Sequence, residues 1–272
     1  MKKALITIIL VTNVFVTSCL AQKQIDLTYI ANAGFFVECN GKQVLIDALF
    51  KEGWGSYLTP TNEVISKIIG KQAPFTNSNL LLITHDHGDH FDAAMVEDYL
   101  KNNTKNMLVA PSQVINALLK NPDNQKLRSQ MVELNKSNSA IFDLTIQGIR
   151  IRSFFIQHDT RPIIENFGYL IDIDGIKIFH SGDNTGADSI EYEKLALQND
   201  KIDLAILGFY GFWSTEEERA FTKKYINPKN ITLMHIPPAE VRMVKDSVNT
   251  IKNFIDITVF ENSLDKKSLI FK

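Results

Sequence analysis

Three histidines and two aspartates stand together in Thr84-His85-Asp86-His87-Gly88-Asp89-His90, directly behind the apolar run Asn79 to Thr84. A run that short and that rich in Leu and Ile reads as a buried strand. A strand delivering so many metal-binding groups at its end demands a rigid sheet whose loops gather at one rim. A divalent ion held by neutral imidazole needs nitrogens converging at about 2.0–2.1 Å. A loop leaving a strand can turn His85 and His87 toward one ion. Gly88 is expected to permit the tight turn that carries Asp89 and His90 toward a second.

The chain has six His in all, and further candidates also end apolar runs. His158 follows Phe154-Phe155-Ile156, Asp183 follows Ile178-Phe179-His180-Ser181-Gly182, and His235 follows Ile231 to Met234. Strand ends at one rim of stacked sheets can bring such groups together.

Around these positions the chain alternates short strands and helices. Leu27 to Ile30, Phe35 to Cys39 and Gln43 to Ile46 read as strands, with Asn40-Gly41 a two-residue hairpin turn between the last two. Asp92 to Lys101 has helical spacing behind a capping Asp, Met107 to Ala110 is a strand, and Ser112 is expected to cap a helix to about Lys120. Strands return over Ile141 to Ile156, turning at Gln147-Gly148, and over Phe167 to Ile173 and Ile176 to His180, turning at Asp174-Gly175. Ser189 to Leu197, a segment starting at Thr215 with Glu218 as its capping-box partner, and Ala239 to Val248 read as helices. Ile202 to Leu207 and Ile231 to Met234 complete the strands. The order predicts an α/β (α+β) fold with two strand-and-helix halves in one domain, sheet against sheet and helices outside.

The balance of 29 Lys plus Arg against 31 Asp plus Glu gives a net charge of -2. No basic field for nucleic acid and no polybasic membrane patch follow from it, so a small-molecule substrate is expected. With 272 residues the core needs no metal merely to hold together, so a bound metal is functional. Cys39 lies in a strand-like run and reads as a small core residue.

Residues 1–21 have the order of an export signal: Lys2 and Lys3, an apolar run from Ala4 to Val16, then Thr17, Ser18 and Ala21. Cleavage after Ala21 leaves Gln22 first. Cleavage before Cys19, in Val16-Thr17-Ser18-Cys19, makes a lipoprotein whose only membrane link is lipid on that cysteine. Either outcome implies an exported protein, periplasmic or membrane-anchored, with residues 22–272 as the working domain. The oligomeric state is left open.

The sequence resembles the metallo-β-lactamase superfamily, whose His-x-His-x-Asp-His signature stands here as His85, His87, Asp89 and His90. Later family positions are matched by His158, by Asp183 within Ser-Gly-Asp and by His235, and Asp47 closes Val44-Leu45-Ile46 where the family also places an acidic residue. The likeness runs from about Leu27 to Met234. It implies a four-layer αβ/βα sandwich with two divalent ions, zinc by default and manganese or iron as alternatives. It would put His85, His87 and His158 on one ion, Asp89, His90 and His235 on the other, and Asp183 on both. It further implies hydrolysis by hydroxide held between the ions, with Asp89 orienting it. Asp47 and His180 are expected behind the ligands, Asp47 orienting an imidazole and His180 as a supporting or structural residue. Asp86 is expected to be solvated and Asp159 to form a turn.

Two aromatic segments, Gly53-Trp54-Gly55-Ser56-Tyr57 and Gly208-Phe209-Tyr210-Gly211-Phe212-Trp213, either pack between sheet and helix or shape a pocket; Tyr210 and Trp213 are the first candidates for substrate contact. Within the superfamily, the absence of a Cys ligand disfavours β-lactam hydrolysis, and His87 stands where redox di-iron relatives carry Glu. The opening Tyr29 to Phe36 and the Ser-Gly-Asp segment resemble the branch of ascorbate phosphate lactonases and related uncharacterised hydrolases. The expected activity is metal-dependent hydrolysis of a small ester, lactone or phosphodiester; the competing expectation is an exported metal-binding or ligand-sensing protein without turnover.

Overall fold

The structure is a computed structural model that describes residues 23–136, 141–158, 163–185, 188–251 and 256–271. The expected export signal with Cys19, and the Asp159 turn, lie outside the described residues. The first half runs β1 (Lys23–Ala31), β2 (Gly34–Cys39), β3 (Lys42–Ile46), α1 (Asn62–Ile69), β4 (Leu80–Leu82), α2 (Ala93–Asn102), β5 (Met107–Pro111), α3 (Ser112–Leu119) and β6 (Met131–Leu134). The second runs β7 (Ile141–Ile146), β8 (Ile149–Phe155), β9 (Phe167–Ile173), β10 (Ile176–His180), α4 (Ser189–Leu195), β11 (Leu204–Gly208), α5 (Phe209–Phe212), α6 (Glu216–Tyr225), β12 (Asn230–Met234), α7 (Val241–Thr250), β13 (Ile257–Val259) and β14 (Lys266–Phe271).

Two seven-stranded sheets result, in the orders β14-β1-β2-β3-β4-β5-β6 and β13-β12-β11-β10-β9-β8-β7. Each begins as antiparallel hairpins and continues as parallel strands joined through helices, as parallel pairing requires. Three turns are fixed by residues that tolerate positive φ: Asn40-Gly41 (51° and 75°), Gln147-Gly148 (52° and 75°) and Asp174-Gly175 (53° and 85°).

Side-chain alternation sorts the core into layers. Val44, Ile46, Leu80 and Leu82 point between the sheets and meet Ile178, Leu204 and Ile206 from the other one. Leu45, Leu81 and Ile83 point the other way, against Val64, Ile68, Val96 and Ile115 of α1 to α3. Ala205, Leu207, Ile231 and Leu233 likewise face Tyr192, Tyr225 and Val244 of α4, α6 and α7. The layers are therefore helices, sheet, sheet, helices: the four-layer αβ/βα sandwich. Cys39 is buried between the sheets.

Several local expectations meet a different physical outcome. Ser112 is the first residue of α3 rather than its cap; Pro111 holds the cap position without a side-chain bond, and the Ser112 hydroxyl donates to Glu133 at 2.8 Å. Asp92 does cap α2 through Met95 N–H at 3.0 Å, and the Thr215–Glu218 capping box closes at the start of α6. Helix α1, the 3-10 segment Pro122–Gln130 and strands β6, β13 and β14 are additional to the sequence reading.

Strand direction decides where the chemistry falls. β3, β4, β10, β11 and β12 are parallel within their sheets, and β1 and β8 run the same way through paired reversals. Their carboxyl ends open on one rim, where α/β sheets bind ligands.

Candidate metal centre

That rim carries the sequence-predicted residues. Asp47 follows β3, the segment His85 to His90 follows β4, His158 follows β8, Asp183 follows β10 and His235 follows β12. Their donor atoms form two groups, His85, His87, His158 and Asp183 in one, Asp89, His90 and His235 in the other, with all atoms of each group within 4.8 Å of one another. Asp183 stands between the groups. Its Oδ2 lies 3.0 Å from His158 Nε2 and 3.6 Å from His235 Nε2. His235 Nε2 is also 3.1 Å from Asp89 Oδ2.

The backbone is bent to achieve this. Asn32, Asp47 and His235 have φ of 46°, 43° and 59°, a left-handed conformation that costs non-glycine residues on the order of 1–3 kcal/mol each and concentrates at functional sites. The tight turn of the signature is closed by His90 and Phe91 N–H groups donating to the His87 carbonyl at 3.0 and 2.9 Å. Gly88 is needed for space rather than for an unusual φ. A Cβ there would come within 2.9 Å of the Glu52 side chain. Gly182, by contrast, has φ 62° and sits against Asn166, whose Oδ1 accepts from Asp183 N–H at 3.2 Å.

Asp47 organises two of the imidazoles from behind. It is fully buried, accepts from Thr84 N–H at 2.8 Å and Thr84 hydroxyl at 2.6 Å, and meets His90 Nδ1 at 2.8 Å. Because the Thr84 hydroxyl donates to Asp47, its oxygen is left to accept from His85 Nδ1 at 3.0 Å. Each ring thus keeps a proton on Nδ1 and turns Nε2 into the site, the arrangement a ligating histidine takes. His85 Nε2 and His90 Nε2 are buried and have no hydrogen-bond partner among the described residues. A buried polar nitrogen without a partner costs roughly 1–3 kcal/mol, and a divalent cation in place of any Nε2 proton satisfies it. The donor set of imidazole and carboxylate fits zinc, manganese or iron alike.

Electrostatics agree with the crowding of charge. Burial pushes the His85 imidazolium far down, helped by the neighbouring His90, His87, His158 and His235. His87 is lowered by burial and then by His158. Burial also acts downward on His90, but the Asp47 charge and hydrogen bond outweigh it and raise that ring to about 9, so without a cation its Nε2 carries a proton that metal binding displaces. Burial opposes ionisation of Asp89 and Asp183, yet the surrounding imidazoles hold both below the usual carboxylate range: the His235 hydrogen bond acts on Asp89 and the His158 hydrogen bond on Asp183.

His180 is structural. Its Nδ1 accepts from Gly182 N–H at 3.1 Å, so Nε2 donates to the Ala33 carbonyl at 3.1 Å and joins β10 to the β1–β2 turn of the other sheet. Asp86 is half-buried rather than solvated. Trp213 corrects its expectation: it has no exposed surface and packs beneath α6 with Phe212 and Tyr225, where no substrate can touch it. Tyr210 is 44% exposed, and its hydroxyl donates to Glu240 at 2.5 Å. The residues lining the cavity over the two groups, about 260 Å³, are Trp54, Tyr57, His87, Asp89, Asp183 and His235. The Gly53 to Tyr57 segment, one of the two aromatic stretches, therefore supplies the wall that Trp213 does not.

Sequence reasoning passed over Asn32, whose Nδ2 donates to Asp89 Oδ2 at 3.0 Å and whose carbonyl accepts from His235 N–H at 3.3 Å. Its signal was an Asn in the turn between two strands. Thr84 and Asn166 were also missed, since their roles depend on partners distant in the chain.

The profile of the β-lactamase superfamily domain matches residues 26–235, from β1 through the last residue of the cluster. The chain belongs to that superfamily. Its similarity to a metal-dependent hydrolase of Thermococcus onnurineus is 28% identity over 163 residues, 58% of this chain and 66% of the relative. With a metal-dependent hydrolase of Pyrococcus furiosus it is 25% over 214 residues, 78% and 84%. In structure it is similar to Igni18, a metallo hydrolase from Ignicoccus hospitalis, with a TM-score of 0.62 at 19% identity, over 92% of this chain and all of that one. This superfamily member is an enzyme of the metal-dependent hydrolase class.

Proposed function

We propose that the two groups each hold one divalent cation, zinc in the first instance, with Asp183 shared between them, and that the enzyme cleaves a small ester, lactone or phosphodiester. The observation that carries this reading is the convergence of seven side chains from four strand ends, two of them presenting buried imidazole Nε2 atoms with no hydrogen-bond partner. Bound there, two divalent ions supply Lewis acidity and make water a nucleophile at neutral pH.

The protein's own groups have distinct tasks. Asp89 is ionised across the neutral range and is fixed by the Asn32 amide, so it orients the attacking water by accepting its hydrogen bond. Asp47 and Thr84 lock the His85 and His90 tautomers. Trp54 and Tyr57 wall one side of the cavity, whose volume of about 260 Å³ suits a small substrate.

Metal analysis of the purified chain followed by a panel of esters, lactones, phosphodiesters and β-lactams at defined metal is the direct test. About two ions per chain and turnover confined to one bond class are expected. His87→Ala and Asp183→Ala should lose both metal and turnover; full activity in either after chelation would overturn the assignment. Bound metal with no turnover on any bond class would favour a binding or sensing role instead. Export is part of the same reading and is supported by the Lys2-Lys3, apolar and small-residue order of residues 1–21. Mass spectrometry of the mature N-terminus separates a lipid-bearing Cys19 from a free Gln22.

A further inference from the structure

Among the large exposed apolar side chains of the described residues, two are aromatic, Trp54 at 65% and Tyr210 at 44%, and Trp54 lines the cavity over the metal cluster. Rings left open to water are informative where they gather beside a site. Trp54 meets His87 edge-on at 6.2 Å between ring centroids, and half-buried Tyr57 meets His235 at 4.3 Å. Tyr210 leaves the end of β11 on the same rim. Its hydroxyl fixes the carboxylate of Glu240, which lies just beyond His235 and belongs to neither group of metal-binding donors. Glu240 and Tyr57 are close enough to influence each other, as are Tyr57 and Tyr210.

We propose that Trp54, Tyr57, Tyr210 and Glu240 form a subsite for a small organic ammonium group, so that the preferred substrate carries a cation beside the bond to be cleaved. Aromatic faces attract cations through their quadrupole, and organic ammonium ions are the ligands that rings with a nearby carboxylate bind best. Asp89 and Asp183 are committed to the cluster, which leaves the Glu240 charge for the ligand. The Gly53 to Tyr57 segment is held in place for this role. Ser56 and Tyr57 N–H groups both donate to the Gly53 carbonyl at 2.8 Å, and a Cβ on Gly53 would stand 2.5 Å from the Tyr57 carbonyl. The substrate class rests on the hydrolase reading above, whereas the subsite itself does not.

The test uses the metal-loaded full chain and two matched pairs of probes. Calorimetry compares choline with 3,3-dimethylbutan-1-ol, its uncharged isostere, and hydrolysis compares the acetate esters of the same two alcohols. A preference of roughly tenfold for the cation is expected in affinity and, for the esters, in kcat/KM. Glu240→Gln and Trp54→Leu should each pull the ratio toward one, read as the charged-to-neutral ratio within each variant. Equal binding of the two alcohols would reduce the wall to an apolar shelf and overturn the inference. Selective choline binding without cleavage of either ester would leave the subsite standing and count against ester hydrolysis.

Discussion

Asp47 shows how much one residue can decide without touching substrate. It holds His90 directly and His85 through Thr84; Asp47→Asn keeps one carbonyl oxygen but turns the other acceptor into an NH2 donor, so the three bonds cannot all be accepted. Metal affinity should fall by roughly 10–100-fold, the usual cost of losing a group behind a ligating histidine, read by competition with a chromophoric chelator. Trp213 belongs to the opposite category. Trp213→Ala should cost about 3–5 kcal/mol in denaturant unfolding, while the folded fraction keeps its discrimination among substrates; a change in that discrimination without loss of stability would restore Trp213 to the pocket. The histidines and aspartates of the cluster were legible in the sequence because a strand followed at once by ligand-type residues is a local pattern. Asn32, Thr84 and Asn166 were not legible, since ordinary polar residues acquire their roles only from distant partners, Asn32 from Asp89 and His235. The aromatic segments could be read as pocket or packing, and burial alone separates Trp54 from Trp213.

At the scale of elements, local chemistry and tertiary context share the work. The capping box of α6 is local, and Thr215→Ala should destabilise by about 1 kcal/mol in denaturant unfolding because Glu218 N–H loses its acceptor at the helix start. Lys71, two residues past the end of α1, behaves otherwise. Lys71 is half-buried, with its ammonium over the Tyr99 ring at 4.4 Å and bonded to the Ser78 carbonyl, and burial pushes its pKa down to about 8. Below pH 8 the lysine is charged in folded and unfolded chains alike and the burial penalty is fully present. Between about 8 and the unfolded value of 10.5 the unfolded chain holds more protons, so this contribution makes stability rise with pH. Urea midpoints across that window should show the rise in the wild type relative to Lys71→Met; identical slopes would refute it. Helix α1 is short and β14 offers the core only Leu269 and half-buried Phe271, so neither carries enough periodic signal to stand out before its partners are known. The three hairpins were readable because their turns need residues that accept positive φ.

The whole molecule is two sheets closed on each other at both rims by different means. At the site rim the cluster draws on both sheets, and Phe167 N–H of β9 donates to the Thr84 carbonyl at 2.9 Å. Removal of metal should therefore lower the thermal midpoint of the entire domain, because ions that bind only the folded state stabilise it by several kcal/mol at saturating concentration, roughly 4 at a thousand times Kd. Calorimetry with and without chelator checks this, and a midpoint indifferent to chelator would deny the cluster its metals. At the far rim, Lys42 of the β2–β3 hairpin bonds Asp174 of the β9–β10 turn at 2.7 Å and the Gly148 carbonyl of the β7–β8 turn at 3.0 Å.

β1 begins at that far rim, with Lys23 against Gly175, and climbs nine residues, roughly 30 Å, before it reaches Asn32. Any tether joined ahead of Lys23 consequently grips the molecule by its base. Were Cys19 acylated, only Leu20, Ala21 and Gln22 would separate the bilayer from the first strand, and the catalytic mouth would look outward, toward solutes arriving from the surrounding fluid rather than toward the lipid leaflet beneath.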